Sequence, residues 1–265
     1  NISLATQIGK FQTQLSYTTK IKRPFYNQLS SNMRYMNRFT YMSGNPDLKP
    51  ETIHDLTLSG SYKWLQFMIS YQREKDAILY ITEQYKKNPA ITTVTHRNFN
   101  RIDNFSAFLT ASPAVGSWHP QLTVGVQKQW AKIEHNGETL QMDTPLFFCT
   151  LNNGIQLPYH WTLSTDINFQ SKGDYQNIYM YQNVFMMNAT LTKSFLNEHL
   201  SIHLQGIDLT HGRKDGNRIY NKHMNMDVAN VSDSRELRFT IRYKFNTAKS
   251  KYKGKGAATE EIKRL

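Results

Sequence analysis

The chain has 265 residues, a formal net charge of +12 and a mean hydropathy of −0.60. This composition is too polar for a bundle of membrane-spanning helices, but it suits a β-barrel, in which only alternate residues face lipid. The single cysteine, Cys149, excludes an internal disulfide. Because no linker rich in Pro, Gly or Ser divides the sequence, we expect one domain over residues 1–246 and a basic tail over residues 247–265.

Alternating apolar and polar residues dominate the sequence from its first segment onwards. In residues 11–21, Leu15 and Tyr17 fall on one face, while Gln12 and Gln14 fall on the other. A period of two predicts β-strands. The alternation and its breakers predict eleven strands, at residues 2–8, 11–22, 52–62, 65–82, 91–111, 121–134, 145–157, 161–171, 177–195, 200–210 and 235–246.

The fold class that these strands predict is an all-β, antiparallel transmembrane β-barrel. Strands of about ten residues with a polar inner face and an apolar outer face are typical of outer-membrane barrels. The connections also alternate in length, as expected for short periplasmic turns and long outer loops. The largest predicted loops are 23–51 and 211–234.

The order of the strands predicts that the chain is the later part of a longer protein. The last strand should run inwards and end in the periplasm, and counting back over eleven strands places residue 1 at the outer face. An intact barrel instead starts and ends in the periplasm. Residues 1–10 also lack the basic and apolar regions of a signal peptide. The segment 217–230 could add a strand and change this parity.

Aromatic residues recur at the ends of the predicted strands, where the aromatic girdles of a membrane barrel form. Ordinary sheet-forming aromatics are the alternative. Cys149 lies on the apolar side of its strand, which favours a buried or lipid-facing thiol. The girdle candidates are Tyr17, Tyr62, Trp64, Trp118, Trp130, Tyr159, Trp161 and Tyr243.

Basic residues concentrate in the predicted loops and in the tail. No nucleic-acid-binding motif accompanies them, so we expect them to attract anionic lipid headgroups and lipopolysaccharide phosphates, with a merely solvated surface as the alternative. His199 and His203 are four residues apart but do not share one helical face, so we expect neither a metal nor a cofactor. The basic residues are Lys22, Arg23, Arg34, Arg38, Lys86, Lys87, Arg213, Lys214, Arg218, Lys222, Lys249, Lys251, Lys253 and Lys255.

One segment resembles a known family. Residues 43–51 read SGNPDLKPE, which resembles the GNP-x-L-x-PE signature in the barrel of TonB-dependent outer-membrane receptors, and it follows a similar stretch from Tyr17 to Leu29. Glycine permits unusual backbone conformations, and the two prolines stiffen an extended loop that leads into the next strand. The motif residues are Gly44, Asn45, Pro46, Leu48, Pro50 and Glu51.

The end of the chain resembles the same family, particularly its Bacteroidetes-type members. Residues 235–246 resemble the final barrel strand, with Tyr243 and Phe245 in the place of the aromatic assembly signal. The tail at 247–265 resembles the tails of Bacteroidetes barrel proteins and would lie in the periplasm. Together these similarities cover the chain as the carboxy-terminal half of a receptor barrel, eleven of twenty-two strands.

The resemblance implies a transporter or ligand receptor in the outer membrane of a Gram-negative bacterium. It also implies a TonB-type energy-coupling partner, which would act through an amino-terminal part, and possible pairing with a surface lipoprotein. The ligand would be a small molecule or a glycan, and the sequence does not select among metal chelates, cobalamin and glycans.

Two groups of loop residues combine charge with aromatic surface, as a site for a glycan or an anionic chelate would. The first comprises Arg34, Tyr35, Arg38 and Tyr41, and the second lies between Arg213 and Tyr220. Ordinary loop surface is the alternative reading of both groups. The polar residues that we expect to line the interior are Gln12, Gln14, Asp166, Asn168, Arg238 and Arg242.

Two other classes of function are considered. A barrel enzyme would need a nucleophile, a base and an orienting group, and Ser201, His203 and Asp208 offer these types without a recognisable motif, so we do not expect an enzyme. A soluble β-sandwich that binds glycans would also show alternation. It would have an apolar inner face and would need no detergent, whereas a lipid-facing band makes the isolated chain aggregate.

Overall fold

The computed structural model describes residues 1–85, 88–135, 137–220 and 225–245, and most of them lie in β-strands. Among these residues the one helix has four residues, and no helix is long and apolar enough to cross a membrane. Asn246 and the predicted tail at 247–265 lie outside the described residues, so the predicted domain boundary stays a prediction. The elements are β1 (Ile2–Ile8), β2 (Phe11–Lys22), α1 (Tyr26–Leu29), β3 (Arg34–Asn37), β4 (Thr40–Met42), β5 (Glu51–Tyr62), β6 (Leu65–Gln84), β7 (Thr92–Ala111), β8 (Trp118–His135), β9 (Glu138–Met142), β10 (Leu146–Leu157), β11 (Trp161–Gln170), β12 (Gly173–Tyr175), β13 (Ile178–Met180), β14 (Val184–Phe195), β15 (Leu200–Ile207), β16 (Lys214–Tyr220), β17 (Asn225–Val231) and β18 (Glu236–Tyr243).

The main sheet is an antiparallel meander in the order β1-β2-β5-β6-β7-β8-β10-β11-β14-β15-β18. These are the predicted eleven strands, and the antiparallel fold class is confirmed. Short turns join them at one end, which we call the turn end, and longer excursions join them at the other, the loop end. Within the described residues β1 pairs only with β2 and β18 only with β15, so the sheet is not closed.

Two predicted boundaries are corrected at the loop end. The predicted strand 177–195 is two strands, β13 and β14, because the Tyr181 N–H donates to the Gly216 carbonyl at 3.2 Å and β13 joins a separate sheet, β12-β13-β16-β17. The predicted loop 211–234 contains the hairpin β16–β17. Because the hairpin adds an even number of strands, the strands that follow it still run in the predicted directions.

The outer face of the turn end is apolar and exposed. Leu4, Leu15, Leu58 and Ile69 pair side by side across four strands and are 37–71% exposed, although a water-soluble sheet would bury such a row. The other face carries amides and hydroxyls, and Thr110 and Thr123 join across two strands with 2.9 Å between their Oγ1 atoms. The predicted arrangement of apolar residues outside and polar residues inside is therefore confirmed.

The predicted girdle residues are all exposed, by 37–83%, and they lie at two levels of the sheet. Six of them are at or next to the turns, while Tyr17 and Trp130 lie farther along their strands towards the loop end. Cys149 pairs in register with Val124 and Phe169 on the apolar face, as predicted. Two aromatic levels with an apolar band between them are typical of a barrel wall in a membrane.

The only hydrophobic core among the described residues lies at the loop end. At Asp76 the backbone takes a φ of +55° and the alternation of β6 changes, so that Ala77, Leu79 and Ile81 become buried. Phe99, Leu140, Tyr179 and Tyr220 pack against the rim of this core and join the second sheet to the main one. The core residues are Ala77, Leu79, Ile102, Ala131, Ile133 and Met142.

Candidate functional site

The first predicted ligand group lies on one hairpin, β3–β4. The Tyr35 and Tyr41 rings are 6.1 Å apart between centroids, and Tyr85, which sequence reasoning missed, packs edge-on against Tyr41 at 5.5 Å. Arg34 and Arg38 are exposed on the same hairpin, with the Arg38 guanidinium 5.3 Å from the Phe39 ring centroid. The structure therefore joins the four predicted residues into one aromatic and cationic surface, which we call the tyrosine hairpin.

The tyrosine hairpin is fixed to the barrel wall rather than left as a free loop. β4 pairs in parallel with the loop end of β7, with Tyr41 opposite Thr93. The Thr92 N–H donates to the Phe39 carbonyl at 2.8 Å and so extends this pairing to the hairpin turn. Because the backbone of the turn is held by the sheet, its side chains project from a defined position.

The family motif anchors the segment that follows the hairpin. The Gly44 N–H donates to the Ser30 carbonyl at 2.7 Å, and a Cβ on Gly44 would lie 2.6 Å from that oxygen and 2.4 Å from the Gln28 carbonyl oxygen. Asn45 donates from its side-chain amide to the His96 carbonyl at 3.0 Å. Gly44 is therefore required by close packing of backbone, and Asn45 ties the loop to β7.

The second half of the motif is held by Asn98, which sequence reasoning also missed. Its Oδ1 accepts the Lys49 N–H at 2.8 Å, and its Nδ2 donates to the Lys49 carbonyl at 3.0 Å and to the Asp76 carbonyl at 2.7 Å. One side chain on β7 thus joins the motif to the point where β6 changes its alternation. Asn98 is far from the motif in sequence, so no local signal pointed to it.

Glu51 ends the motif with a buried carboxylate that is 2% exposed. Its Oε2 accepts the Ile78 N–H at 3.3 Å and faces the Lys22 ammonium at 3.5 Å. A buried carboxylate is stable only with such partners. The motif is therefore a clasp between the loop 23–50 and the loop end of β6 and β7, and we call it the motif clasp.

The second predicted ligand group is not brought together. Arg213 is exposed in the turn that follows β15, whereas Tyr220 packs against the loop-end core. The Tyr220 N–H donates to the Asn177 carbonyl at 2.9 Å, and Asn177 also donates to the Tyr80 carbonyl at 2.7 Å. These contacts give Tyr220 a packing role, and a role in ligand binding stays a prediction for both residues.

Asp208 begins the excursion after β15 and closes its base. The carboxylate is 1% exposed, and it accepts hydrogen bonds from the Ser234 hydroxyl and from the N–H groups of Gly212 at 2.8 Å and Arg213 at 3.2 Å. Burial acts to raise the pKa of Asp208, but the hydrogen bonds to the charged form outweigh burial and hold the pKa below its usual range. The two ends of a long hairpin are thereby joined through one ionised group.

The three candidate catalytic residues do not form a triad. Ser201 Oγ lies 3.0 Å from His203 Nε2, but Nδ1 of that ring contacts the Thr192 hydroxyl at 3.0 Å. Asp208 instead binds Ser234 and the backbone of its own turn. His203 therefore lacks the carboxylate that would orient it as a base.

The inner face of the turn end forms a groove of about 840 Å³. Gln12 and Gln14 line it, as predicted for the interior, together with Met68 and Phe108. Among the other predicted interior residues, Asn168 accepts a hydrogen bond from Thr150 at 3.2 Å, and Arg238 forms a two-point ion pair with Glu236 at 2.9 Å. No group of three or more His, Cys, Asp and Glu side chains among the described residues is arranged to hold a metal ion.

The predicted assembly signal lies at the end of β18 and just beyond it. The rings of Tyr243 and Phe245 pack edge to face with 4.7 Å between centroids, and Phe245 is 81% exposed. Both side chains are accessible to a partner, and their part in assembly stays a prediction.

A one-sheet wall with an exposed apolar band, a polar inner face and long excursions at one end defines an outer-membrane β-barrel protein. The model of the outer membrane protein beta-barrel family matches residues 1–243, so the chain belongs to that family. The chain is therefore located in the Gram-negative outer membrane. No curated protein sequence matches the chain.

Solved structures of outer-membrane receptors share the fold. The siderophore receptor PirA from Pseudomonas aeruginosa aligns with a TM-score of 0.53 and 16% identity, covering 80% of this chain and 38% of the receptor. The outer membrane transporter YddB from Escherichia coli aligns at 0.50 and 11% identity, covering 88% and 38%. A variant of the ferric enterobactin receptor PfeA from Pseudomonas aeruginosa, in complex with enterobactin, aligns at 0.50 and 15% identity, covering 90% and 39%.

These structures confirm the predicted fold, an antiparallel outer-membrane β-barrel. The chain spans less than two fifths of the length of these three proteins. The narrower assignment to Bacteroidetes-type members stays a prediction.

Proposed function

We propose that the chain forms part of the wall and of the outer ligand-binding surface of a receptor that imports a small molecule across the outer membrane. The observation that carries this proposal is the tyrosine hairpin, which is paired to β7 and followed directly by the motif clasp. A surface held in this way can bind a ligand without first losing much conformational entropy. The polar inner face below it suits a hydrated passage.

The ligand class that the tyrosine hairpin fits best is an anionic metal chelate with aromatic or planar groups. The rings of Tyr35 and Tyr41 offer faces for stacking, while Arg34 and Arg38 offer fixed positive charge. Among the structural neighbours, one is a siderophore receptor and another is a ferric enterobactin receptor in complex with enterobactin. A glycan is the second candidate, because sugar rings also pack on tyrosine faces.

Two partners belong to this proposal on the strength of the family resemblance. A TonB-type protein would supply energy through an amino-terminal part, and a surface lipoprotein could deliver the ligand to the outer loops. Their contribution is measurable as loss of uptake when either partner is deleted.

The test is uptake of radioactive iron as ferric enterobactin by cells that carry the whole protein as their only receptor for it, with a maltodextrin as the second probe. A Tyr35→Ala/Tyr41→Ala variant should lower uptake of the transported probe at least about tenfold, because each lost stacking contact costs on the order of 1 kcal/mol. Tyr26→Ala is the matched control, since Tyr26 is 94% exposed in the same loop.

The outcomes separate the parts of the proposal. Normal heat-modifiable migration in gels establishes that each variant has assembled. Unchanged uptake in the double variant removes the tyrosine hairpin as the ligand surface. If the unaltered receptor imports maltodextrin but not ferric enterobactin, the chelate is replaced by the glycan as the ligand class.

The alternative of a soluble glycan-binding sandwich is not favoured. A sandwich buries the apolar faces of two sheets against each other, whereas the apolar face of the main sheet is exposed along the row that contains Leu15 and Leu58. The hydrophobic core lies instead at the loop end.

A further inference from the structure

Five basic side chains lie on the outward face of three adjacent strands, directly above the apolar band. Ile69, Ala107 and Val126 pair in register as the last apolar row of β6, β7 and β8. Two residues farther towards the loop end comes the row Tyr71, Phe105 and Lys128, and then the row Arg73, Asp103 and Trp130. We call the outward residues Arg73, Lys75, Arg101, Lys128 and Lys132 the basic belt.

The basic belt lies at the level where a membrane ends. A strand needs about 9–11 residues to cross the hydrocarbon core, and Lys75 is the eleventh residue of β6, counted from the turn at its start. Tyr71 and Trp130 lie at the same level, which is where aromatic residues mark the boundary between lipid and water. Outer-membrane barrels have their short turns in the periplasm, and with that orientation this boundary lies in the outer leaflet.

A single carboxylate holds two arginines side by side in the belt. Asp103 accepts from Arg73 Nε at 2.7 Å and from Arg101 Nε at 2.8 Å. The Asp103 side chain is 8% exposed, whereas those of Arg73 and Arg101 are 41% and 57% exposed. The carboxylate is therefore covered and the two guanidinium groups face outwards.

The rest of the belt adds charge without cancelling it. The Lys128 ammonium lies 5.5 Å from the centre of the Trp130 ring and 3.9 Å from Asp143. Lys75 and Lys132 are exposed next to the arginines. Five cations thus share this face with three carboxylates, Asp103, Asp143 and Glu134, so the belt keeps a net positive charge at the membrane surface.

We propose that the basic belt binds the phosphate groups of a lipid in the outer leaflet, namely the lipid A of lipopolysaccharide. Two guanidinium groups held in one plane of the sheet match the several acceptor oxygens of a phosphate monoester. The acyl chains of the same lipid would then lie along the exposed apolar rows that contain Ile69 and Val124. A free phosphate ion would use only the charges, and the direct continuity of charge with lipid-facing surface favours the lipid.

The experiment uses the whole protein in phosphatidylcholine nanodiscs and three probes: diphosphoryl lipid A, its enzymatically dephosphorylated form, and inorganic phosphate. The variants are Arg73→Gln/Arg101→Gln and Lys75→Gln/Lys132→Gln. The second pair leaves Asp103 with both of its partners, so it tests the belt even if the first pair fails to assemble. The control is Arg97→Gln/Arg218→Gln, which removes two ion-paired arginines elsewhere at the loop end.

Binding of diphosphoryl lipid A, measured by native mass spectrometry, should weaken roughly tenfold or more in each belt variant, since charge-assisted bonds to phosphate are lost. The control should bind like the unaltered protein. The proposal is overturned if dephosphorylated lipid A binds equally well, if the control weakens as much as the belt variants, or if inorganic phosphate binds as tightly as the lipid. The last result would define a free-anion site instead.

Discussion

The turn end and the loop end of the same strands use their apolar residues in opposite ways. At the turn end Leu58 and Ile69 face outwards and are 37% and 40% exposed, whereas at the loop end Leu79 and Ile133 are 1% and 2% exposed. The change occurs within β6, at the left-handed backbone of Asp76. One continuous strand therefore has lipid as its apolar environment in its first half and a protein core in its second.

This difference separates two sources of stability. The turn end buries its apolar band only when lipid or detergent covers it, because its inner face is polar. The loop end buries a core of its own between β6, β7, β8 and β9, as a water-soluble domain does. The tyrosine hairpin and the motif clasp are attached to this second region, so their geometry does not depend on the thickness of the bilayer.

The sharpest way to break this comparison is to truncate one leucine in each region. Leu79→Ala removes a side chain that is 1% exposed and should destabilise the loop end by about 3 kcal/mol, the usual cost of a core cavity. Leu204→Ala, at a position that is 44% exposed on the lipid face, should cost much less. Hydrogen exchange in detergent micelles measures the loss of stability in each variant. Equal losses would show that the two regions unfold as one unit.

A substitution at Gly44 tests whether the motif clasp belongs to the loop-end region. A valine side chain there would meet the carbonyl oxygens of Gln28 and Ser30, so we expect Gly44→Val to destabilise the clasp by about 2–3 kcal/mol. Faster hydrogen exchange should be confined to residues 28–50, with normal heat-modifiable migration of the barrel. Ser31→Val, at an exposed position of the same loop, is the control, and normal protection in Gly44→Val would contradict the proposed packing.

Asn98→Ala tests the same clasp from the side of the barrel wall. Three hydrogen bonds are lost and the Lys49 N–H loses its acceptor, so we expect the substitution to destabilise the motif clasp by about 2 kcal/mol. Asn100→Ala changes an exposed amide on the same strand and should have little effect. If the backbone amide of Lys49 is equally protected from exchange in the two variants, the clasp is not held by β7.

The sequence predicted the turn end better than the loop end for a physical reason. Alternation along residues 11–21 reports directly which side chains face lipid, because each side chain of a strand has only two possible directions. The short strand β13, by contrast, pairs with β16, which lies far along the chain, with Ile178 opposite Ile219. Neither a proline nor a glycine marks the break between β13 and β14, so a single strand was predicted there.

The candidate site shows the same division. Arg34, Tyr35, Arg38 and Tyr41 were predictable as a group because they lie within eight residues of one another. Tyr85 and Asn98 complete the surface through the pairing of β4 with β7 and through the motif clasp, which no local pattern reveals. The motif itself was predicted to stiffen a loop, but Asn45 and Glu51 contribute mainly through contacts with the wall.

The smallest expected effect concerns acid and the base of the excursion at Asp208. Its folded-state pKa is below the unfolded value of about 3.9. The stabilisation that the ionised Asp208 carboxylate gives to the excursion is therefore complete above about pH 4. It is lost as the pH falls through the folded-state pKa. After correction for intrinsic exchange rates, the amides of Gly212 and Arg213 should lose protection on acidification, and Asp208→Asn should remove this dependence.

The amides of Leu151 and Ile167, on the turn-end strands β10 and β11, serve as the internal control for that measurement. Their strand pairing contains no bond to the Asp208 carboxylate, so they should keep their protection over the same pH range. If both sets of amides lose protection at one pH, the barrel opens as a single unit. Separate stabilisation of the two ends would then be wrong, because protonation of one loop-end carboxylate would also have opened the lipid-facing half.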